Sequence, residues 1–340
     1  MYRRYFGLKR SPFSIAPDPR YLYMSPQHKE ALAHLLYGIR SEGGFVLLTG
    51  EVGAGKTTIC RRILETLSKN IVVAFIINPT LSVEELLAAV CDEFGLAYPR
   101  KANVKAYVDR INEFLLELNA GRKKAILLID EAQNLKDEVL EQIRLLTNLE
   151  TNERKLLQII LIGQPELRDR LARPDLRQLS QRIVARCHLD ALSRSDIFGY
   201  VHHRIAVARG GRPKQDAPPT AEPALFSSSA LNSLYVCSGG IPRLINLICD
   251  RALLGAFVQH KQIVDKKTLL RAAAEVLGRR PPEEGRKWKI ALAAAFLACA
   301  WLAFFYVFFN HFGPPQTFLA GKAGIVRGAP PAKAPPEPSS

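Results

Sequence analysis

A parallel α/β sheet, then a helical lid, then one long apolar helix is the architecture this sequence predicts. Three observations carry it. Short aliphatic runs alternate with helical stretches up to about residue 190, as in strands joined by crossover helices. From Ser193 to about residue 277 the strands vanish and helical periodicity takes over, broken by the Gly- and Pro-bearing loop 209–223. Residues 290–309 then run without a charge. With 340 residues and 48% apolar content, the chain has room for two or three domains and a sizeable core.

The elements read in order as follows. Residues 1–23 set Tyr2, Tyr5, Phe6, Phe13, Tyr21 and Tyr23 among prolines, an irregular arm packed on the domain; residues 1–20 lack the apolar stretch of a signal peptide. A helix is expected over 26–42, with Leu32, Leu35, Leu36 and Ile39 on one face. A buried strand follows at 44–49, and a helical stretch from Thr58 to Leu67. Residues 71–77 form a second buried strand, Ser82 caps a helix that starts with Glu84 and Glu85, and another helix covers about 103–119. The aliphatic run Ala125–Ile129 suits a strand buried on both faces. A helix over 137–150 and strands at 156–162 and 183–189 complete the α/β part.

Residues 50–57 read Gly-Glu-Val-Gly-Ala-Gly-Lys-Thr, between the first strand and its helix. This Gly-x4-Gly-Lys-Thr pattern is a phosphate-binding loop in the context it needs. Gly50, Gly53 and Gly55 let the backbone turn its N–H groups inward, with Glu51, Val52 and Ala54 between them, and the helix N-terminus beginning near Thr58 adds partial positive charge. Lys56 is placed to reach the β- and γ-phosphates of ATP, and the Thr57 hydroxyl to hold Mg²⁺. About 75 residues downstream the run Ala125–Ile129 ends in Asp130 and Glu131. At the carboxyl edge of a parallel sheet, Asp130 is a candidate for the Mg²⁺ shell and Glu131 for polarising the attacking water.

A P-loop core with a helical lid suggests an AAA+ ATPase, which needs further parts. Gln164, in Gly-Gln-Pro-Glu-Leu after the fourth strand, is the candidate for orienting water beside Glu131. Arg182, before the fifth strand, is the candidate for reaching a neighbouring subunit's γ-phosphate, with Arg177 as its rival. Arg243, in Gly-Gly-Ile-Pro-Arg at the start of a lid helix, would point back at the nucleotide.

These motifs resemble the general secretion pathway protein A family of AAA+ ATPases. The resemblance rests on Tyr5-Phe6-Gly7-Leu8 with Pro12-Phe13, on Pro17-Asp18-Pro19-Arg20-Tyr21-Leu22-Tyr23, on His28 with Ala31-Leu32, and on residues 50–58, 130–135, 163–167 and 240–246. It covers roughly residues 2–277 and extends to the apolar run. It implies a Mg-dependent ATPase working as a homo-oligomeric ring with an inner-membrane partner protein, indirectly helping a secretin assemble through the cell wall in type II secretion. Relatives serving type IV-like pilus biogenesis leave that machinery open. Family members usually carry a large peptidoglycan-binding part beyond the membrane; only residues 313–340 follow the apolar run here, which counts against direct peptidoglycan binding by this chain.

Residues 290–309 are expected to be a transmembrane helix: twenty residues at 1.5 Å each span about 30 Å. Arg279, Arg280, Arg286, Lys287 and Lys289 precede it, and only Lys322 and Arg327 follow within twenty residues. The positive-inside rule then puts the ATPase part in the cytoplasm and the chain in the bacterial inner membrane. The expected division is an α/β domain at 1–190, a lid at 191–278, a basic linker at 279–289, the span at 290–309 and a disordered Pro/Ala-rich periplasmic tail at 313–340.

The net charge of +15 is scattered and partly clustered beside the apolar run, so a membrane surface is expected before nucleic acid. A DNA-binding, transposition-type helper is the competing reading, which an anchor does not serve; a scaffold that binds ATP and turns over poorly is another, opposed by Lys56 and Glu131. The six cysteines are irregularly spaced, form no Cys-x-x-Cys pair, and read as buried free thiols.

Overall fold

β1, Gly44–Gly50, is buried at every position, and its alternate side chains feed two different cores. Phe45 and Leu47 face one side of the sheet, Val46 and Leu48 the other, as the two-residue period of a strand requires. The computed structural model describes residues 1–40, 43–77, 79–151, 155–211, 224–278 and 286–312.

Four more strands line up with β1: β2 (Ile71–Ile76), β3 (Lys124–Ile129), β4 (Leu157–Gly163) and β5 (Ile183–Leu189). They form a five-stranded sheet in the order β2-β3-β4-β1-β5, every pair parallel. Parallel neighbours need crossovers. The helices in chain order are α1 (Tyr2–Tyr5), α2 (Pro26–Arg40), α3 (Lys56–Thr66), α4 (Val83–Glu93), α5 (Val104–Ala120), α6 (Asp137–Leu146), α7 (Pro165–Leu171) and α8 (Arg177–Ser180). One face of the sheet packs on α4, α5, α6 and α7 through residues such as Leu86, Ile111, Ile143 and Leu167. The other packs on α2 and α3 through Leu35, Ile59 and Ile63.

After β5 come α9 (Arg194–Arg209), α10 (Ser228–Ser238), α11 (Pro242–Val258) and α12 (Lys266–Val276), gathered round a third core that includes Ile197, Leu234, Ile245 and Leu269. The N-terminal arm belongs to that same core: Phe6, Leu8, Phe13 and Tyr21 are buried among the lid helices.

Local signals place most boundaries. Ser82 and Glu85 form a reciprocal capping box at the start of α4. The helix expected over 137–150 stops at Leu146, because the Thr147 hydroxyl donates to the Arg144 carbonyl at 2.7 Å and Glu150 pairs with Lys155 in an isolated bridge. None of the six cysteines forms a disulfide; Cys60, Cys91 and Cys249 are buried, but Cys299 is exposed.

The chain divides into Met1–Pro282 and Glu283–Ser340. The second unit holds α13, Arg286–Phe312, which exposes Phe296, Trp301 and Phe305. Among the described residues no helix is long and apolar enough to cross a membrane, against the crossing helix expected over 290–309. The expected single-pass inner-membrane placement, which rested on that span, is withdrawn with it. The expected basic linker at 279–289 falls largely, and the tail at 313–340 wholly, outside the described residues.

Candidate active site

The carboxyl ends of β1, β4 and β3 lie side by side, because β4 sits between the other two. The loops leaving those ends therefore meet at one sheet edge. They carry the P-loop, Gln164, and the Asp130–Glu131 pair.

The P-loop turns on Gly53 and Gly55, both at positive φ, and opens directly into α3 at Lys56. The buried Lys56 ammonium donates to the carbonyls of Gly50 at 2.7 Å and Glu51 at 3.0 Å. Burial pulls its pKa down, while Glu131, Asp130 and Glu51 pull the other way. The next residue points across the edge: Thr57 Oγ1 donates to Asp130 Oδ2 at 2.8 Å. Asp130 is only 3% exposed, and its other oxygen accepts the Glu131 backbone N–H. A hydroxyl and a carboxylate side by side at the mouth of a phosphate loop are hard oxygen donors, and fit Mg²⁺ completed by phosphate and water.

Glu131 sits at φ 53°, an uncommon left-handed setting for a residue with a side chain. Its Oε2 accepts from Gln133 Nε2 at 2.5 Å and from Gln164 Nε2 at 3.4 Å, so Gln164 does reach the carboxylate it was expected to accompany. Arg243 arrives from the lid. It stands at the start of α11, where its backbone N–H donates to the Gly53 carbonyl at 3.2 Å.

A cavity of about 310 Å³ opens between these parts. Val52 to Thr58, Glu131 and Arg243 are part of its lining. The rest was not foreseen: Ser14 to Asp18 of the arm, Tyr21, Tyr23, Tyr200, Arg204 and Asn246 form a wall, and His28 stands against the P-loop, its Nε2 3.6 Å from where a Cβ on Gly55 would lie. Arg204 holds that wall together. Its guanidinium donates to the carbonyls of Pro12 at 2.7 Å and Ser14 at 3.0 Å and to the Tyr200 hydroxyl at 3.2 Å, and lies 4.8 Å from the centre of the Tyr21 ring. Tyr200 passes the contact on to Asn246 at 2.9 Å. His28 is fixed by Ser25 Oγ, 2.7 Å from its Nδ1, and burial pushes its pKa down to about 4. No sequence pattern joins Arg204 to residues 190 positions earlier; only the arm's aromatic content hinted at burial.

Arg182 is not brought to this cavity. Its carbonyl accepts the Phe45 N–H at the opposite edge of the sheet. Its guanidinium is spent on the Arg144 carbonyl, Thr147 Oγ1 and Asn148 Oδ1, at 3.1, 2.6 and 2.7 Å. Arg177, on α8, is exposed and its side chain makes no hydrogen bond or ion pair among the described residues.

Residues 39–171 match the family model described as AAA domain. General secretion pathway protein A of Aeromonas hydrophila is 50% identical over 315 residues, which take in 91% of this chain. This chain is a relative of general secretion pathway protein A. It spans 55% of the length of that protein. Among solved structures, Cdc6p of Pyrobaculum aerophilum aligns with a TM-score of 0.59 at 16% identity, covering 78% of this chain and 70% of that one. The Aeropyrum pernix ORC1 protein, solved in complex with DNA, aligns with a TM-score of 0.56 at 17% identity, covering 79% and 70%. At such identities the likeness is one of fold.

Proposed function

We propose that this chain is a Mg-dependent ATPase of type II secretion that drives assembly of the secretin through a partner protein. The observation that carries the proposal is the meeting of Lys56, Thr57, Asp130, Glu131 and Gln164 at one sheet edge, beside a cavity that Arg243 helps line. The likeness to general secretion pathway protein A supports the secretion role.

In this reading the P-loop N–H groups and Lys56 take the phosphates, and Lys56 exchanges its two carbonyl partners for phosphate oxygens. Thr57 and Asp130 hold Mg²⁺, which when bound neutralises charge on the transferring phosphoryl group. Glu131 accepts the proton of the attacking water, and Gln164 helps hold that water in line. The lining formed by Tyr21, His28 and Arg204 takes the base and ribose. Arg243, joined to the P-loop by its backbone, carries the state of the γ-phosphate to the lid. A neighbouring copy in a ring supplies an arginine from the turn before β5. Of the two candidates there, Arg177 is the one whose guanidinium is not already bound among the described residues.

The test is the amount of secretin multimer in outer-membrane fractions from cells carrying wild-type or Lys56→Ala protein at matched expression. Fewer multimers and accumulating monomers in the variant are expected. Unchanged multimers would remove the secretin role and leave the ATPase.

A further inference from the structure

Gln133 has no part in the phosphate loop or the metal pair, yet both ends of its side-chain amide are occupied at the catalytic edge. Its Nε2 donates to Glu131 Oε2 at 2.5 Å, and its Oε1 accepts the Gln164 backbone N–H at 3.1 Å. The backbone beneath it is fastened too: Arg170 of α7 donates to the Gln133 carbonyl at 2.7 Å and pairs with Asp137. The approach is close. A Cβ on Gly163 would stand 2.9 Å from Gln133 Oε1 and 2.7 Å from Leu167 Cδ2, so the strand end is bare where the amide crosses it. Glu131 itself is held in a left-handed backbone setting, which is strained for a residue with a side chain. A carboxylate on strained backbone needs its side chain fixed if it is to face one water.

We infer that Gln133 is a positioning residue for ATP hydrolysis: it fixes the rotamer of Glu131 and ties it to the backbone of Gln164, so that base and water-orienting amide move as one unit with β4. The inference rests on the ATPase reading above. It differs from a plain structural pin in one respect. A pin needs only the bond from Gln133 Oε1 to Gln164, whereas positioning needs the bond from Nε2 to Glu131.

Two variants separate these. Gln133→Glu keeps an acceptor for the Gln164 N–H and replaces the donor facing Glu131 by a second carboxylate. Gln133→Met keeps the length and removes both bonds. Single-turnover hydrolysis of ATP by the full chain, with dissociation constants for a fluorescent ATP analogue measured alongside, is the experiment. Both variants should slow hydrolysis by roughly a hundredfold, the scale of a misplaced reacting group, with affinity unchanged within about twofold. In a Glu131→Gln background Gln133→Met should slow hydrolysis no further, since the two act through one carboxylate. A Gln133→Glu protein that hydrolyses ATP like wild type overturns the inference and leaves a pin. Wild-type protein that binds ATP and never hydrolyses it overturns the ATPase reading, and this inference with it.

Discussion

Arg243 touches the P-loop through its backbone, its N–H donating to the carbonyl of Gly53 across 190 residues of chain. The contact is close enough that a Cβ on Gly53 would run into the Cβ of Arg243, and Gly53 is also at φ 81°. The second glycine of the motif therefore serves two purposes: it shapes the phosphate loop, and it leaves room for the lid to dock on it.

Gly53→Ala should lose nucleotide affinity by tenfold or more, about 1.4 kcal/mol, and free the lid. Arg243→Ala keeps the glycine turn and the backbone bond, so binding should fall less and turnover more. Titration with a fluorescent ATP analogue and steady-state hydrolysis distinguish the two variants.

Lys56→Ala removes a buried charged donor and should cost roughly ten- to a hundredfold in affinity. Glu131→Gln should bind as wild type and lose turnover by roughly 10²–10⁴. Normal hydrolysis by Glu131→Gln would remove Glu131 as the base.

Arg177→Ala and Arg182→Ala should part company. Arg182 bonds three groups at the end of α6, so its loss should lower Tm by several degrees. Arg177→Ala should leave Tm alone and cut turnover by roughly 10³, the effect of a missing arginine supplied in trans. Mixing Arg177→Ala with Lys56→Ala protein should restore activity at mixed interfaces, and its failure to do so would argue against a finger at Arg177.

Arg204→Met should detach the arm from the cavity wall. Melting by calorimetry should show a loss of about 2–3 kcal/mol from the bonds to Pro12 and Ser14, and nucleotide affinity should drop while saturated turnover holds.

Two histidines set an acid limit. Burial depresses both His28 and His203 to about 4 from an ordinary value of 6.5. The unfolded chain thus binds protons that the folded one refuses between pH 6.5 and 4. Their contribution is complete above pH 6.5 and is lost as pH falls toward 4, by up to about 3 kcal/mol each. Urea unfolding at pH 7.5 and 5.0 should show the drop, and His203→Phe should flatten it.

The sheet was legible because its central strands, β1, β3 and β4, are largely aliphatic on both faces; Ser82 with Glu85 and the run Ala125–Ile129 marked their elements by residue type alone. The phosphate loop and the Asp130–Glu131 pair were legible because their spacing along the chain is the chemistry. The rest of the cavity lining was not. Tyr21, His28, Arg204 and Asn246 are single residues on separate elements, and only folding brings them to one cavity. Gln133 was in view inside the motif Asp-Glu-Ala-Gln, but its bonds depend on a strand end thirty residues away. The apolar run 290–309 led to a membrane-crossing helix by composition, and among the described residues no such helix stands.

Phe6, Phe13 and Tyr21 lie in one core with α9 to α12, so the lid is built from both flanks of the sheet's sequence. For chain surgery this forbids the obvious cut. A fragment starting near residue 191 would carry the four helices without the aromatic side chains that fill the space between them, and a chimera that borrowed a lid from a relative would have to borrow the first twenty-three residues as well. An affinity tag spliced within those residues would report on a protein with its nucleotide cavity half unwalled.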